Sequence, residues 1–89
     1  MVCREKVTVI NSLGLHARPA SMLVQVASGY NSDIMLSKDG MQVNAKSIMG
    51  VMMLAAEMGA EVEIEAEGRD ATEAVAAIRE LFTRKFDEE

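Results

Sequence analysis

Hydrophobic positions change their spacing several times along this chain, and each change marks an element. Residues 4–10, REKVTVI, alternate in part and end on β-branched Val7, Thr8, Val9 and Ile10, which predicts a strand. NSLG, ending at Gly14, supplies loop formers. From about residue 17 the period lengthens to three and four, with Ala20, Leu23, Val24 and Ala27 on one face of a helix that should stop at Gly29. SDIMLSKDGMQVNA reads as a hairpin: Ile34 and Leu36, then Met41, Val43 and Ala45, alternate on either side of an Asp39-Gly40 turn.

Ser47 is placed to cap a short apolar helix, IMGVMMLAAEM, expected to run on to Gly59. EVEIEAEG is the cleanest strand. Val62, Ile64 and Ala66 face one way; Glu61, Glu63, Glu65 and Glu67 face the other, toward water, so the sheet keeps one wet face. Asp70 and Glu73 resemble a capping box opening a last helix, whose buried face is Ala71, Ala74, Val75, Ile78, Leu81 and Phe82. FDEE is expected to be a frayed acidic tail. The order β-α-β-β-α-β-α, with one solvated sheet face, predicts an α+β fold. It would be an open-faced β-sandwich: a four-stranded antiparallel sheet with three helices on its other face, as one domain over residues 1–89.

Composition narrows the functions open to such a fold. The net charge is −5, from 14 acidic and 9 basic residues, which argues against nucleic acid or an anionic membrane as partner. Aromatic residues make up 3% and tryptophan is absent, so base stacking is not expected either. A lone Cys3 forms no internal disulfide and assembles no zinc site, and a reducing cytoplasmic setting is the default. No apolar run approaches the ~18 residues of a membrane span, and the charged N-terminus is unlike a signal peptide. With no metal cluster, glycine-rich phosphate loop or paired acid and base at motif spacing, no cofactor and no self-sufficient enzyme is expected. Eight methionines supply flexible core filling or an adaptable surface.

The stretch LGLHARPAS, residues 13–21, gathers the only histidine and the only proline around Arg18. Pro19 suits the first turn of a helix, where its missing N–H costs nothing, and this puts His16 at or beside the N-cap. Free backbone N–H groups and the positive end of the helix dipole meet there, a setting that favours an anion, phosphate above all. Arg18 adds a planar charged fork suited to phosphate oxygens. The same positive surroundings disfavour imidazolium, so His16 is expected to be neutral near pH 7, with a lone pair able to attack phosphorus. Each residue alone has a plainer reading: His16 as a cap, Arg18 as a solvated charge, Pro19 as a helix-start proline.

GLHARPAS, then VNAKSIMGVMML, then EIEAEG resemble the HPr family, the histidine-containing phosphocarriers of the bacterial phosphoenolpyruvate-dependent phosphotransferase system. The similarity covers essentially the whole chain in the same order. It implies an HPr-like fold in which enzyme I, charged by phosphoenolpyruvate, passes a phosphoryl group to Nδ1 of His16. The group then goes on to the sugar-specific A domains of enzyme II permeases, with Arg18 holding it. It also implies a carrier without catalysis of its own, monomeric by default. Ser47 matches a serine that an ATP-dependent HPr kinase/phosphorylase modifies, although by itself it reads as an ordinary N-cap. Ala17, Ala20, Ile48, Met49, Gly50, Met52 and Met53 fall on the implied partner surface, with Val51 and Leu54 facing the core. Two alternatives accompany this reading. The Met-rich second helix and the ending LFTRKFDEE are similar to the nitrogen-related paralogue NPr, and a Ser47-dependent regulatory binding module would use the serine alone.

Overall fold

The computed structural model describes residues 1–88, and its strands follow the alternation of the sequence. β1 (Val2–Thr8), β2 (Asp33–Lys38), β3 (Met41–Asn44) and β4 (Glu61–Glu67) form one antiparallel sheet in the order β1-β4-β2-β3. α1 (Ala17–Ser28), α2 (Ile48–Met53) and α3 (Ala71–Thr83) complete the β-α-β-β-α-β-α order. Because β4 is inserted between β1 and β2, and β2 between β3 and β4, each β-α-β unit is split by a strand from the other. One face of the sheet supplies Val7, Ile34, Leu36, Val43, Val62, Ile64 and Ala66 to a hydrophobic cluster shared with the helices. On the other face Glu63 and Glu65 stand opposite Lys6 and Arg4, and Arg4 approaches Glu65 at 3.2 Å. Like charges within β4 are thereby relieved by bases on its edge neighbour.

Several boundaries move, each for a reason lying elsewhere in the chain. β1 starts two residues earlier than the strand expected from residue 4 and ends before Val9, whose N–H and C=O instead bond Ala60 and Gly59 of the loop entering β4. The Asp39-Gly40 turn is as expected, with both residues at positive φ, the conformation a two-residue hairpin needs. α1 does stop at Gly29, but at φ −78°, without the left-handed cap its glycine suggested. α2 is only six residues long and does not reach Gly59. The chain turns at Ala55 (φ +50°), which frees the Ala56 carbonyl to accept from the Leu15 N–H at 2.8 Å. Among the described residues no helix is long and apolar enough to cross a membrane.

Two further expectations are corrected. Asp70 stands at the N-cap of α3 but makes no capping bond. Its carboxylate accepts from the N–H groups of Asn31 and Ser32, each at 2.9 Å, and from the Ser32 hydroxyl, tying α3 to the entrance of β2. The FDEE segment is not frayed over residues 86–88. Lys85, Phe86 and Asp87 form a short turn, all at positive φ, and Phe86 is fully buried, edge-on to Phe82 with ring centroids 4.9 Å apart. Burial of that ring, worth about 2–3 kcal/mol, opposes the cost of a left-handed turn in residues with side chains. The turn brings Glu88 back across the molecule to the start of α1.

Candidate functional site

The loop between β1 and α1 is held rigid by one buried amide. Asn11 is wholly inaccessible, and its Nδ2 donates to the Gly14 carbonyl at 2.8 Å and to Glu88 Oε1 at 2.9 Å. Gly14 takes φ +70° and passes so close to Ala56 and Glu57 that a Cβ there would lie 2.9 Å from Glu57 Cα. The following residue, Leu15, is buried. With both sides of the loop anchored, the backbone enters α1 at a set angle.

His16 is the N-cap residue of α1, in extended conformation, and its carbonyl accepts from the Ala20 N–H at 2.9 Å. Its side chain makes no capping bond, and the first turn of α1 holds no acidic residue. Pro19 lies within that turn and is buried, as the sequence indicates. The imidazole is about one-third exposed (36%) and meets Glu88 Oε2 through Nε2 at 2.8 Å, while the Glu88 side chain is only 14% exposed. The Glu88 carboxyl is held below its ordinary range. The largest cause is the Asn11 amide, followed by the His16 hydrogen bond and the positive charges of His16 and Arg18, with burial opposing them. Arg18 itself is exposed. The Glu88 carboxylate thus stands beside the ring at the helix start.

A shallow depression of about 280 Å³ adjoins the ring, walled by Leu13, Leu15, Met52 and the Ala55–Glu57 loop. Met52 thus links the histidine to α2, whose Ile48, Met49, Met52 and Met53 are all exposed, Met49 the most at 74%. Leu13 and Ala17 are exposed on the α1 side. Val51 and Leu54 are buried, as the resemblance implied. Ala20 has no accessible surface: it lies on the same helical face as Leu23 and Ala27 and is a packing residue, not a partner contact. Gly50 is half-buried, and its N–H donates at 3.0 Å to the Oγ of Ser47, which caps α2 from a half-buried position. Asn11 and Glu88 were missed in the sequence because one sat among loop formers and the other in an acidic tail. No local pattern joins two residues 77 positions apart.

Comparison with known proteins gives a consistent result. The family model described as "PTS HPr component phosphorylation site" matches residues 3–84. Phosphocarrier protein HPr of Treponema pallidum is 54% identical over 83 residues, covering 93% of this chain and 94% of that protein. Its counterpart in Cupriavidus necator is 49% identical over 81 residues, 91% of each chain. The crystal structure of HPr from Thermoanaerobacter tengcongensis superposes with a TM-score of 0.94 at 46% identity, covering 98% of both chains.

Proposed function

We propose that this chain, which belongs to the HPr family and is a phosphocarrier of the phosphotransferase system, carries its phosphoryl group on His16. The observation that supports this most is the placement of the imidazole. It is the chain's only histidine, accessible at an N-cap, at the positive end of a helix with no acid in its first turn. In the neutral ring the lone pair attacks the phosphorus of the donor, and the transferred anion enters a field already favourable to it. Arg18, two residues on and exposed, supplies the charged fork that follows the phosphoryl oxygens. His16, Arg18, Asn11 and Glu88 all come from one chain, so a monomer suffices. The protein turns over only between a donor and an acceptor: enzyme I on one side, sugar-specific A domains on the other. The exposed Met49, Met52 and Met53 beside the depression provide the adaptable apolar surface that both partners would share.

Incubation with phosphoenolpyruvate and enzyme I should label the protein with one acid-labile, base-stable phosphate, absent from His16→Ala. Acid-stable label, or label surviving in that variant, would exclude His16 as the carrier. Arg18→Ala should slow transfer in both directions with the fold unchanged.

Ser47 is the second site in this reading, as a regulatory phosphorylation site for an HPr kinase/phosphorylase. Its hydroxyl is half-buried at the cap of α2, directly before the exposed Ile48 and Met49. Phosphorylation there places about two negative charges on the apolar docking face and repels partners with acidic rims.

A further inference from the structure

We infer that the exposed methionines of α2 form a reversible oxidation site. A hydroperoxide converts Met49, Met52 and Met53 to sulfoxides and so weakens the docking of phosphoryl donor and acceptor, while the carrier histidine stays intact. This rests on α2 being the shared partner surface in the reading above, and it adds a chemical control on that surface.

The division of side chains around α2 supports it. The two core positions of the segment, Val51 and Leu54, are branched hydrocarbons, whereas three of its four exposed apolar residues are thioethers. Met49 meets Met52 and Met53 at i+3 and i+4 along one side of the helix. Their exposures are 74%, 43% and 62%, and Met52 also walls the depression beside His16. Met22 on α1 and Met35 on β2 are by contrast half-buried. The sulfurs that a partner presses against are therefore among those that a dissolved oxidant reaches. Leucine at the same positions would give an apolar face without this chemistry. The competing target, the Cys3 thiol, is half-buried on β1 and packed against the core.

The step balances with the hydroperoxide as sole co-reactant. A sulfur lone pair attacks one peroxide oxygen, and the S–O bond forms as the O–O bond breaks. The departing oxygen takes the hydroperoxide proton and leaves as water or an alcohol. Sulfur is oxidised by two electrons and the peroxide is reduced by two. Methionine sulfoxide reductases reverse the change, two thiols becoming a disulfide as the oxygen leaves as water. Each sulfoxide sets a strong hydrogen-bond acceptor on the apolar face, and carrying it into an interface without a donor opposite costs its desolvation. Neither the core side of α2 nor the Ser47 cap contains sulfur, so the helix and the carrier site persist.

In the test, the protein is treated with hydrogen peroxide, the peroxide is removed with catalase, and the added oxygen is mapped by peptide mass spectrometry. The Kd for enzyme I and the kinetics of phosphoryl transfer are then measured, with thermal unfolding as the control for folding. Oxygen should appear on Met49, Met52 and Met53 ahead of Met22 and Met35. Kd and KM should each rise about tenfold at little-changed kcat, the equivalent of one unpartnered polar group brought into the interface. Sulfoxide reductases of both epimer specificities should restore them. In the triple variant Met49→Leu, Met52→Leu, Met53→Leu the quantity read is the ratio of treated to untreated KM, so any change in its starting value drops out. That ratio should stay near one, whereas Cys3→Ala should keep the full response to peroxide. A Kd and KM unchanged by complete oxidation of the three residues overturn the proposal, and so does an equal rise in the leucine variant. Absence of label on His16 in the untreated protein overturns the carrier assignment instead, and the Kd for enzyme I then decides this proposal by itself.

Discussion

Gly14 shows how much of the site depends on a residue with no side chain. Its φ of +70° and its passage against the Ala56–Glu57 backbone leave no space for a methyl group. Gly14→Ala combines left-handed strain with a steric clash, and we expect a loss of about 1–3 kcal/mol, the range for a strained backbone position. In a domain of this size each kcal/mol lowers the Tm by roughly 4–8 °C. Transfer to His16 should slow as well, because the displaced loop carries the ring. Gly40→Ala is the control: φ is +84°, but nothing lies within 4 Å of the added atom. It should show strain in the melt and unaltered transfer kinetics. Equal transfer rates in the two variants would mean that the loop does not position His16.

At the scale of elements, α2 is the informative case. Six residues with four exposed apolar side chains cannot be stable alone, since isolated helices are marginal below about 12–15 residues. α2 is held by Val51 and Leu54 in the core and by the Ser47 hydroxyl bound to the Gly50 N–H. Ser47→Ala should therefore cost about 0.5–2 kcal/mol, as for other caps. It should appear as a lower urea midpoint at unchanged m-value, with phosphoryl transfer through His16 intact. An unaltered midpoint would mean that packing alone holds the helix. The stability loss has a functional counterpart: the hydroxyl that caps the helix is the one proposed to be modified.

For the whole molecule, the bonds that close the fold join segments far apart in sequence. Asp70 binds Asn31 and Ser32 across 38–39 positions, and its carboxyl is held below the ordinary aspartate range, chiefly by the Ser32 hydroxyl and then by the Asn31 N–H. A carboxyl lowered by folding contributes stability that is present above its unfolded value and disappears as the pH falls through its folded one. The Tm advantage of the unaltered protein over Asp70→Asn should thus be full at neutral pH and shrink steadily below about pH 4. A difference that stays constant down to about pH 2 would remove the ionised carboxylate from the account.

The sequence alone determined the class of fold and the order of its elements, because periods of two and of three to four are local consequences of strand and helix geometry. The strand 61–67 and the six-residue buried face of the last helix were legible almost residue by residue, since each contains its own pattern. His16, Arg18 and Pro19 stood out because the chemistry of a helix start is local too. The resemblance of GLHARPAS and VNAKSIMG to HPr then indicated the family that the comparisons show. What the tertiary structure decided was everything joined over long distances: β4 inserted between β1 and β2, the truncation of α2 so that Ala56 could meet Leu15, and the burial of Ala20. Asp70 was recruited away from its cap in the same way. The largest change came at FDEE. Four residues with no periodicity read as a solvated tail, yet Phe86 found space in the core and carried Glu88 to the histidine. No one-dimensional pattern encodes that contact, because it depends on where Phe82 of α3 and the loop before α1 come to lie once the rest of the chain has packed.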